Sequence, residues 1–372
     1  MSQTTARRPR VLVLFGGRSG EHPISAVTAG GVLRAIDRTR YDVLAVGITR
    51  DGRWVLADDD PDRWAITDGR LPEVTNGSAR VLLPQAAGDR SVQALNGSVA
   101  EAMGDVDVVF PLLHGPFGED GTVQGMLELA DVRYVGAGVL ASAVGMDKQM
   151  MKLVFAGQGL PVGPYVVVRP GELDRDPDGV LQRASGLGLP VFVKPARAGS
   201  SLGITKVDDW ADLPEAIRVA AAHDPKVLVE AAIVGREIEC GVLGGRDGAP
   251  ARASLPGEIV VHGERAFYDF EAKYLDEEAV DLVCPAELPD DVTKKVREVA
   301  VRAFEAVGCE GLARVDVFVT PDGDVVVNEI NTMPGFTPFS MYPRMWAATG
   351  LDYPALVDEL IQLALHRPTG LR

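Results

Sequence analysis

The stretch VVVNEINTMPG, Val325 to Gly335, runs an apolar strand into a polar end of Asn-Glu-Ile-Asn. Upstream lies ARVDVFVT, Ala313 to Thr320, and PDGD, with its Asp322-Gly323 pair, separates the two runs. Two β-rich runs joined through Asp-Gly read as a β-hairpin. A two-residue loop at Asp322-Gly323 pairs Thr320 with Val325. It then sets Asp316 opposite Glu329 and Arg314 opposite Asn331. Side chains alternate along a strand, so these four share one face at one end of the hairpin. The other face carries Val315, Val317, Val319, Val326 and Ile330, interrupted by Asn328. Phe318 and Val327 continue the four-residue face as apolar, which argues against a solvated surface screened by Arg314. Two facing carboxylates repel unless a cation lies between them. Oxygen donors of this kind suit Mg²⁺, which takes a few carboxylates and completes its shell with substrate phosphates. The hairpin therefore predicts a magnesium site that handles a nucleotide.

The bulk of the chain frames that expectation. At 372 residues it has length for two or three domains, and 46% apolar residues with 41 Gly and 25 Pro suit a loop-rich α/β enzyme. A formal charge of −16 excludes nucleic acid and anionic membrane as partners. A phosphate ligand must then be held locally, by lysines, backbone amides and metal. Three cysteines (Cys240, Cys284, Cys309) without ligand-like spacing point to a reducing compartment and inert thiols. The first apolar run, VLVLF, is too short for a signal peptide or a membrane span, so the expectation is a cytoplasmic protein.

Along the chain, VLVLFGG, RSGEHPIS, AVTAGGVLRAID and YDVLAVGI read as strand, loop, helix and strand. Residues 51–104 have weak periodicity and read as an insertion. A second βαβ unit follows, with HGPFGEDG as its loop, and the first domain ends near Ala137. The next unit centres on a hairpin of PVFVKP and ITKV around the loop ARAGSSLG, and ends with strand KVLVEAAI near Gly235. The third contains EIECGVLG, an amphipathic helix and the opening hairpin. In that helix Val292, Val296, Val299, Ala300, Ala303, Phe304 and Val307 recur at helical spacing.

Three loops carry candidate chemistry. The ARAGSSLG loop can offer successive backbone N–H groups to phosphates. Lys194, mid-strand in VFVKP, is costly to bury unpaired and reads as a phosphate clamp, while Lys148 is ambiguous alone. At the helix start in GGRSGEHPIS, Glu21 already supplies negative charge, so the place invites an ammonium group rather than a phosphate. One G-x-G-x-x-A match, Gly136 to Ala141, is followed by a strand ending in Arg169 where a dinucleotide fold wants an acid. It reads as chance, and leaves an NADP-dependent oxidoreductase as a rival.

Together the segments GGRSGEHPIS, HGPFGEDGTVQG, MDK, VKPARAGSSLG, FYDFEAKY, ARVDVF and NEINTMPGFTPFSM resemble, in order, the D-alanine–D-alanine ligases of the ATP-grasp superfamily. The resemblance spans nearly the whole chain and weakens over 51–104. It implies an α/β (α+β) ATP-grasp fold of three domains: 1–137 for substrate, 138–235 with the phosphate loop, and 236–372 with the metal site. ATP would lie between the last two. By the resemblance, Lys148, Lys194, Ser200, Ser201, Glu230, Glu237 and Lys273 bind ATP. Asp316, Glu329 and Asn331 hold two Mg²⁺ (or Mn²⁺) ions. Glu21 receives the first D-alanine's ammonium, Ser340 and Met341 orient the second D-alanine's carboxylate, and His114 and Gly335 lie on the substrate side. Glu21, Ser200, Tyr274 and Arg314 form the implied catalytic set, with Arg314 stabilising the transferred phosphate.

The implied reaction joins two D-alanines through an acyl phosphate, supplying peptidoglycan precursors. Tyr274 resembles the residue of peptide-forming members rather than of D-lactate-accepting relatives. The implied partners are small molecules (D-alanine, ATP), with no membrane or nucleic acid, and a homodimer as the commoner family state. The close alternative is a ligase taking D-lactate or D-serine as second substrate. From outside enzymology, a non-catalytic nucleotide-binding regulator remains.

Overall fold

The computed structural model describes residues 7–76, 79–84, 86–97, 99–199, 202–261 and 280–369. Among these the strands form three sheets, taken up in chain order.

The first sheet holds β1 (Arg10–Gly16), β2 (Asp42–Ile48), β3 (Trp54–Leu56), β4 (Arg80–Leu82), β5 (Ser91–Asn96), β6 (Val99–Asp105) and β7 (Val108–Pro111), in the order β6-β5-β4-β3-β2-β1-β7. β1 is parallel to β2 and β7 and is buried along almost its whole length, as a strand covered on both faces must be. The 51–104 segment is an antiparallel extension of this sheet through β3 to β6. Its weak periodicity has a plain cause: β3 and β4 are three residues each, and β6 buries none of its seven.

The second sheet holds β8 (Tyr165–Val168), β9 (Val191–Pro195), β10 (Thr205–Val207) and β11 (Val227–Ala231), in the order β10-β9-β11-β8. β9 and β10 form the expected hairpin, with Thr205 paired to Val193. The third sheet holds β12 (Arg236–Leu243), β13 (Arg252–Ala253), β14 (Gly257–Val261), β15 (Val280–Val283), β16 (Leu312–Val319) and β17 (Val325–Asn331), in the order β15-β14-β12-β16-β17 with β13 beside β12.

The amphipathic helix spans Asp290–Ala306 and buries Val296, Val299, Ala300, Ala303 and Phe304 against the third sheet's valines. Asp290 and Asp291 in its first turn suit the positive end of the helix dipole. The last helix, Tyr353–His366, presents Leu356, Val357, Leu360 and Ile361 to a core shared with Val11, Val13 and Phe110 of the first sheet. The chain's end therefore stitches the first sheet to the third. Arg367 completes that seam, donating to the carbonyl of Gly136 at 2.6 Å and pairing with Glu310. The G-x-G-x-x-A segment packs here, with Gly138 against Arg367 and Glu310.

Candidate active site

The hairpin of β16 and β17 pairs Arg314 with Asn331, Val315 with Ile330 and Asp316 with Glu329, as the sequence arithmetic requires. Beyond that point the register changes. Val317 pairs with Val327 and Val319 with Val325, so Thr320 does not face Val325. The turn is one residue longer than two: Thr320 N–H donates to Asp324, and Gly323, at φ +78, takes the left-handed position of a three-residue loop. A β-bulge opposite the Asp316–Val317 step absorbs the difference, and its extra residue is Asn328. The bulge corrects the faces as well. Val325 and Val327 join Val315, Val317 and Val319 in the core, Val326 pairs with Phe318, and Asn328 lines the site cleft instead of the opposite face.

That cleft, about 670 Å³, is lined by strands of the second and third sheets and by Glu21, His114 and Glu119 from loops of the first unit. Across β12, β16 and β17 the register aligns Glu239, Asp316 and Glu329 in one row. Arg314 sits among them. Its Nε and Nη2 each donate to Asp316 at 2.7 Å, and its Nε lies 3.2 Å from Glu239. Burial would lower the Arg314 pKa, but Asp316 and Glu239 outweigh it and hold the guanidinium well above its ordinary value. Lys148 Nζ lies 3.7 Å from Glu329 and donates to the Ala198 carbonyl at 2.9 Å. Among the described residues no three His, Cys, Asp or Glu side chains are close enough to hold a metal by themselves. Two carboxylates and an amide, Asn331, suit a hard cation whose remaining ligands come from phosphate.

At the other end, Glu230 of β11 is 6% exposed between two lysines. Lys194 of β9 lies 2.8 Å from one carboxylate oxygen, and Lys152, on the helix Lys148–Gly157, lies 3.3 Å from the other. Burial pushes the Glu230 carboxyl up, yet Lys194 and Lys152 overcome this and draw it down to about 2. Burial also pulls both ammonium groups down. For Lys194 the Glu230 charge more than compensates, whereas Lys152 stays below its usual value. Glu237 of β12 faces the same cleft.

The substrate-side loop is built on backbone contacts. Glu21 stands at the N-terminus of the helix His22–Ala35 and is buried. A Cβ on Gly115, at φ +73, would fall 2.7 Å from its carboxylate, so glycine permits the two loops to meet. The next residue, His22, holds the 51–104 segment: its Nδ1 bonds the Gly17 carbonyl and its Nε2 accepts from Val74 N–H at 3.0 Å.

His114 and Glu119 clasp one residue between them. His114 Nδ1 bonds the Met333 carbonyl at 3.1 Å, and Met333 N–H donates to Glu119 at 3.2 Å. Burial keeps His114 neutral, so Nδ1 carries the proton. Glu119 also accepts from Gly115 N–H at 2.6 Å, and burial together with the nearby Glu21 raises its pKa to about 8. Past this clasp, Gly335, Ser340 and Met341 line the cleft. Thr337 N–H donates to the Ser340 hydroxyl at 3.1 Å, and Met341 packs over Gly257.

The structure thus brings Glu21, His114, Lys148, Lys194, Glu230, Glu237, Arg314, Asp316, Glu329, Asn331, Gly335, Ser340 and Met341 to one cleft. Ser200, Ser201, Lys273 and Tyr274 lie outside the described residues. Among the cleft residues that escaped the sequence reading are Glu239, Lys152 and Glu119. Glu239 follows Glu237 by two, so strand alternation alone puts both on one face. Lys152 follows Lys148 by one helical turn. Glu119 lies inside the HGPFGED loop, where nothing in the sequence foretold its burial.

The family described as "D-ala D-ala ligase N-terminus" matches residues 10–137, and "D-ala D-ala ligase C-terminus" matches residues 154–362. A relative from Kineococcus radiotolerans, named "D-alanine--D-alanine ligase", is 63% identical over 373 residues, covering 98% of this chain and 99% of its own length. The solved D-alanine-D-alanine ligase from Coxiella burnetii superposes with a TM-score of 0.80 at 37% identity, covering 97% of this chain and 94% of that one. The VanG D-Ala:D-Ser ligase from Enterococcus faecalis does so with a TM-score of 0.81 at 34% identity, covering 96% of this chain and 100% of that one.

Proposed function

The chain belongs to the D-alanine–D-alanine ligase family, and on that premise we propose that it joins two D-alanines into D-alanyl-D-alanine at the expense of ATP. The observation that supports this most directly is the facing of Arg314 and Asp316 with Asn331 and Glu329 in a cleft that also holds Lys148 and Lys194. A carboxylate does not condense with an amine unaided, because hydroxide is a poor leaving group. ATP first phosphorylates the carboxylate of one D-alanine. The free amine of the second attacks that acyl phosphate, the C–N bond forms, and phosphate leaves from the tetrahedral intermediate.

Such phosphoryl transfer needs positioning and charge neutralisation more than acid–base chemistry. Lys148 and Lys194 are the proposed phosphate contacts, and Glu230 and Glu237 face the base and ribose. Arg314 stabilises the charge that develops on the transferred group and then on the oxyanion. Glu21 receives the first substrate's ammonium, and Ser340 with Met341 orients the second substrate's carboxylate. Magnesium, two ions held by Asp316, Glu329 and Asn331, would neutralise the ATP phosphates when bound. Ser200 and Tyr274 complete the proposed catalytic set by the resemblance alone. The domain spans 1–137, 138–235 and 236–372, a homodimeric assembly, a cytoplasmic location and a supply role for peptidoglycan precursors belong to the same reading.

The likeness to a D-Ala:D-Ser ligase keeps the second substrate open to experiment. Phosphate release should require D-alanine, ATP and Mg²⁺ together. No ATP consumption with D-alanine alone as acceptor and donor would refute the ligase reading. In a mixture with D-lactate and D-serine at neutral pH, D-alanyl-D-alanine should dominate the products; a dominant ester or D-alanyl-D-serine would reassign the second site.

A further inference from the structure

Arg314 stabilises the transferred phosphate in the proposed function, yet its firmest bonds are to Asp316, a residue that the same reading gives to the metal. A carboxylate cannot serve a divalent cation and a guanidinium equally well at the same oxygens. The other carboxylate on Arg314 is Glu239, on β12, 3.2 Å from Nε and on the far side of Asp316 from Glu329. Its side chain is 7% exposed and that of Arg314 is 13% exposed, so water does little to hold either. A buried ion pair this close restrains where a guanidinium can lie. We propose that Glu239 is a positioning residue: it keeps Arg314 aimed at the transferred phosphate once Asp316 is drawn to the metal-bound nucleotide.

The inference rests on the ligase reading, and the two fail differently. Wild-type protein that releases no phosphate from ATP with D-alanine and Mg²⁺ overturns both. With an active wild type, Glu239→Ala should lower kcat by about ten- to a hundredfold. The KM for D-alanine, and the affinity for Mg²⁺ with ATP measured by calorimetry without D-alanine and so without turnover, should each change less than about twofold. Glu239→Gln keeps the shape and an acceptor oxygen, and should fall between Glu239→Ala and wild type; it also serves if the alanine variant does not fold. In an Arg314→Lys background, where no fork remains to be aimed, Glu239→Gln should have no further effect beyond about twofold. Three outcomes overturn the proposal: a normal kcat in both Glu239 variants, losses that multiply in the Arg314→Lys background, or a loss that extra Mg²⁺ restores. The last would place Glu239 on the metal rather than on Arg314.

Discussion

Lys152 and Glu230 meet 3.3 Å apart with side chains only 3% and 8% exposed, and Lys194 closes on the same carboxylate from its other oxygen. Glu230 thus has two cations for one charge, so Lys152 keeps the carboxylate paired when Lys194 is shared with a phosphate, as the proposed function has it. Lys152→Met should lower stability by about 2–3 kcal/mol, somewhat less than breaking an isolated buried pair. It should also raise the KM for ATP about tenfold, because Lys194 would then stay tied to Glu230. Denaturant unfolding and steady-state kinetics check both, and Glu230→Gln added to Lys152→Met should recover most of the stability. The pH sign follows from the Glu230 pKa of about 2, below its unfolded value. The pair's contribution is present above about pH 4.3 and is lost as pH falls toward 2.

Glu329→Gln keeps volume and hydrogen bonding but removes half of the facing carboxylate pair. Turnover should fall by about two orders of magnitude or more, with the far-ultraviolet circular dichroism unchanged. Near-normal turnover would remove Glu329 from the metal assignment. Chelation of divalent ions should abolish turnover of the wild type in the same assay.

Glu119 predicts the opposite pH behaviour to Glu230. Its folded pKa of about 8 lies far above the unfolded value, so the native state holds a proton that the unfolded chain has released. Stability should therefore fall as pH rises from about 4.3 to 8, by about 2–4 kcal/mol over the window. Glu119→Gln mimics the protonated form and should flatten that slope, whatever it does to the baseline. Thermal unfolding at pH 5 and pH 8 for both proteins measures the difference.

The cysteines should behave unequally. Burial raises the Cys240 thiol to about 12 and the Cys309 thiol further, while Cys284 is half-buried and less strongly shifted. Alkylation of the native protein at pH 8 should modify Cys284 first and leave the other two intact until unfolding. Peptide mass spectrometry distinguishes the three.

The sequence carried the architecture well where pattern and burial coincide. β1 is an uninterrupted apolar run because both its faces are covered, and the Asp290–Ala306 helix announced its buried face residue by residue. The four-residue constellation was legible for a subtler reason. The assumed turn was one residue too short, and the unforeseen bulge restored the register at the site end. Turn length and bulges depend on a few local dihedral angles, and no side-chain alternation encodes them. Glu119 and Lys152 were illegible for a different reason. Their significance lies in depth of burial and in partners distant along the chain, as when Met333 N–H reaches Glu119 across 214 positions.

The bulge at Asn328 also divides the hairpin into two short ladders in series, with a joint between them. Val327 N–H donates to the Pro161 carbonyl, so the joint is clamped to a neighbouring segment and not left to slide. An insertion at an ordinary hairpin tip would propagate along the strand and turn every side chain over. Here the exposed turn at Pro321 to Gly323 can change length while Asp316 and Glu329 stay aimed at each other. The tip is thus a natural place to lengthen the chain or graft a label, mechanically insulated from the chemistry below it.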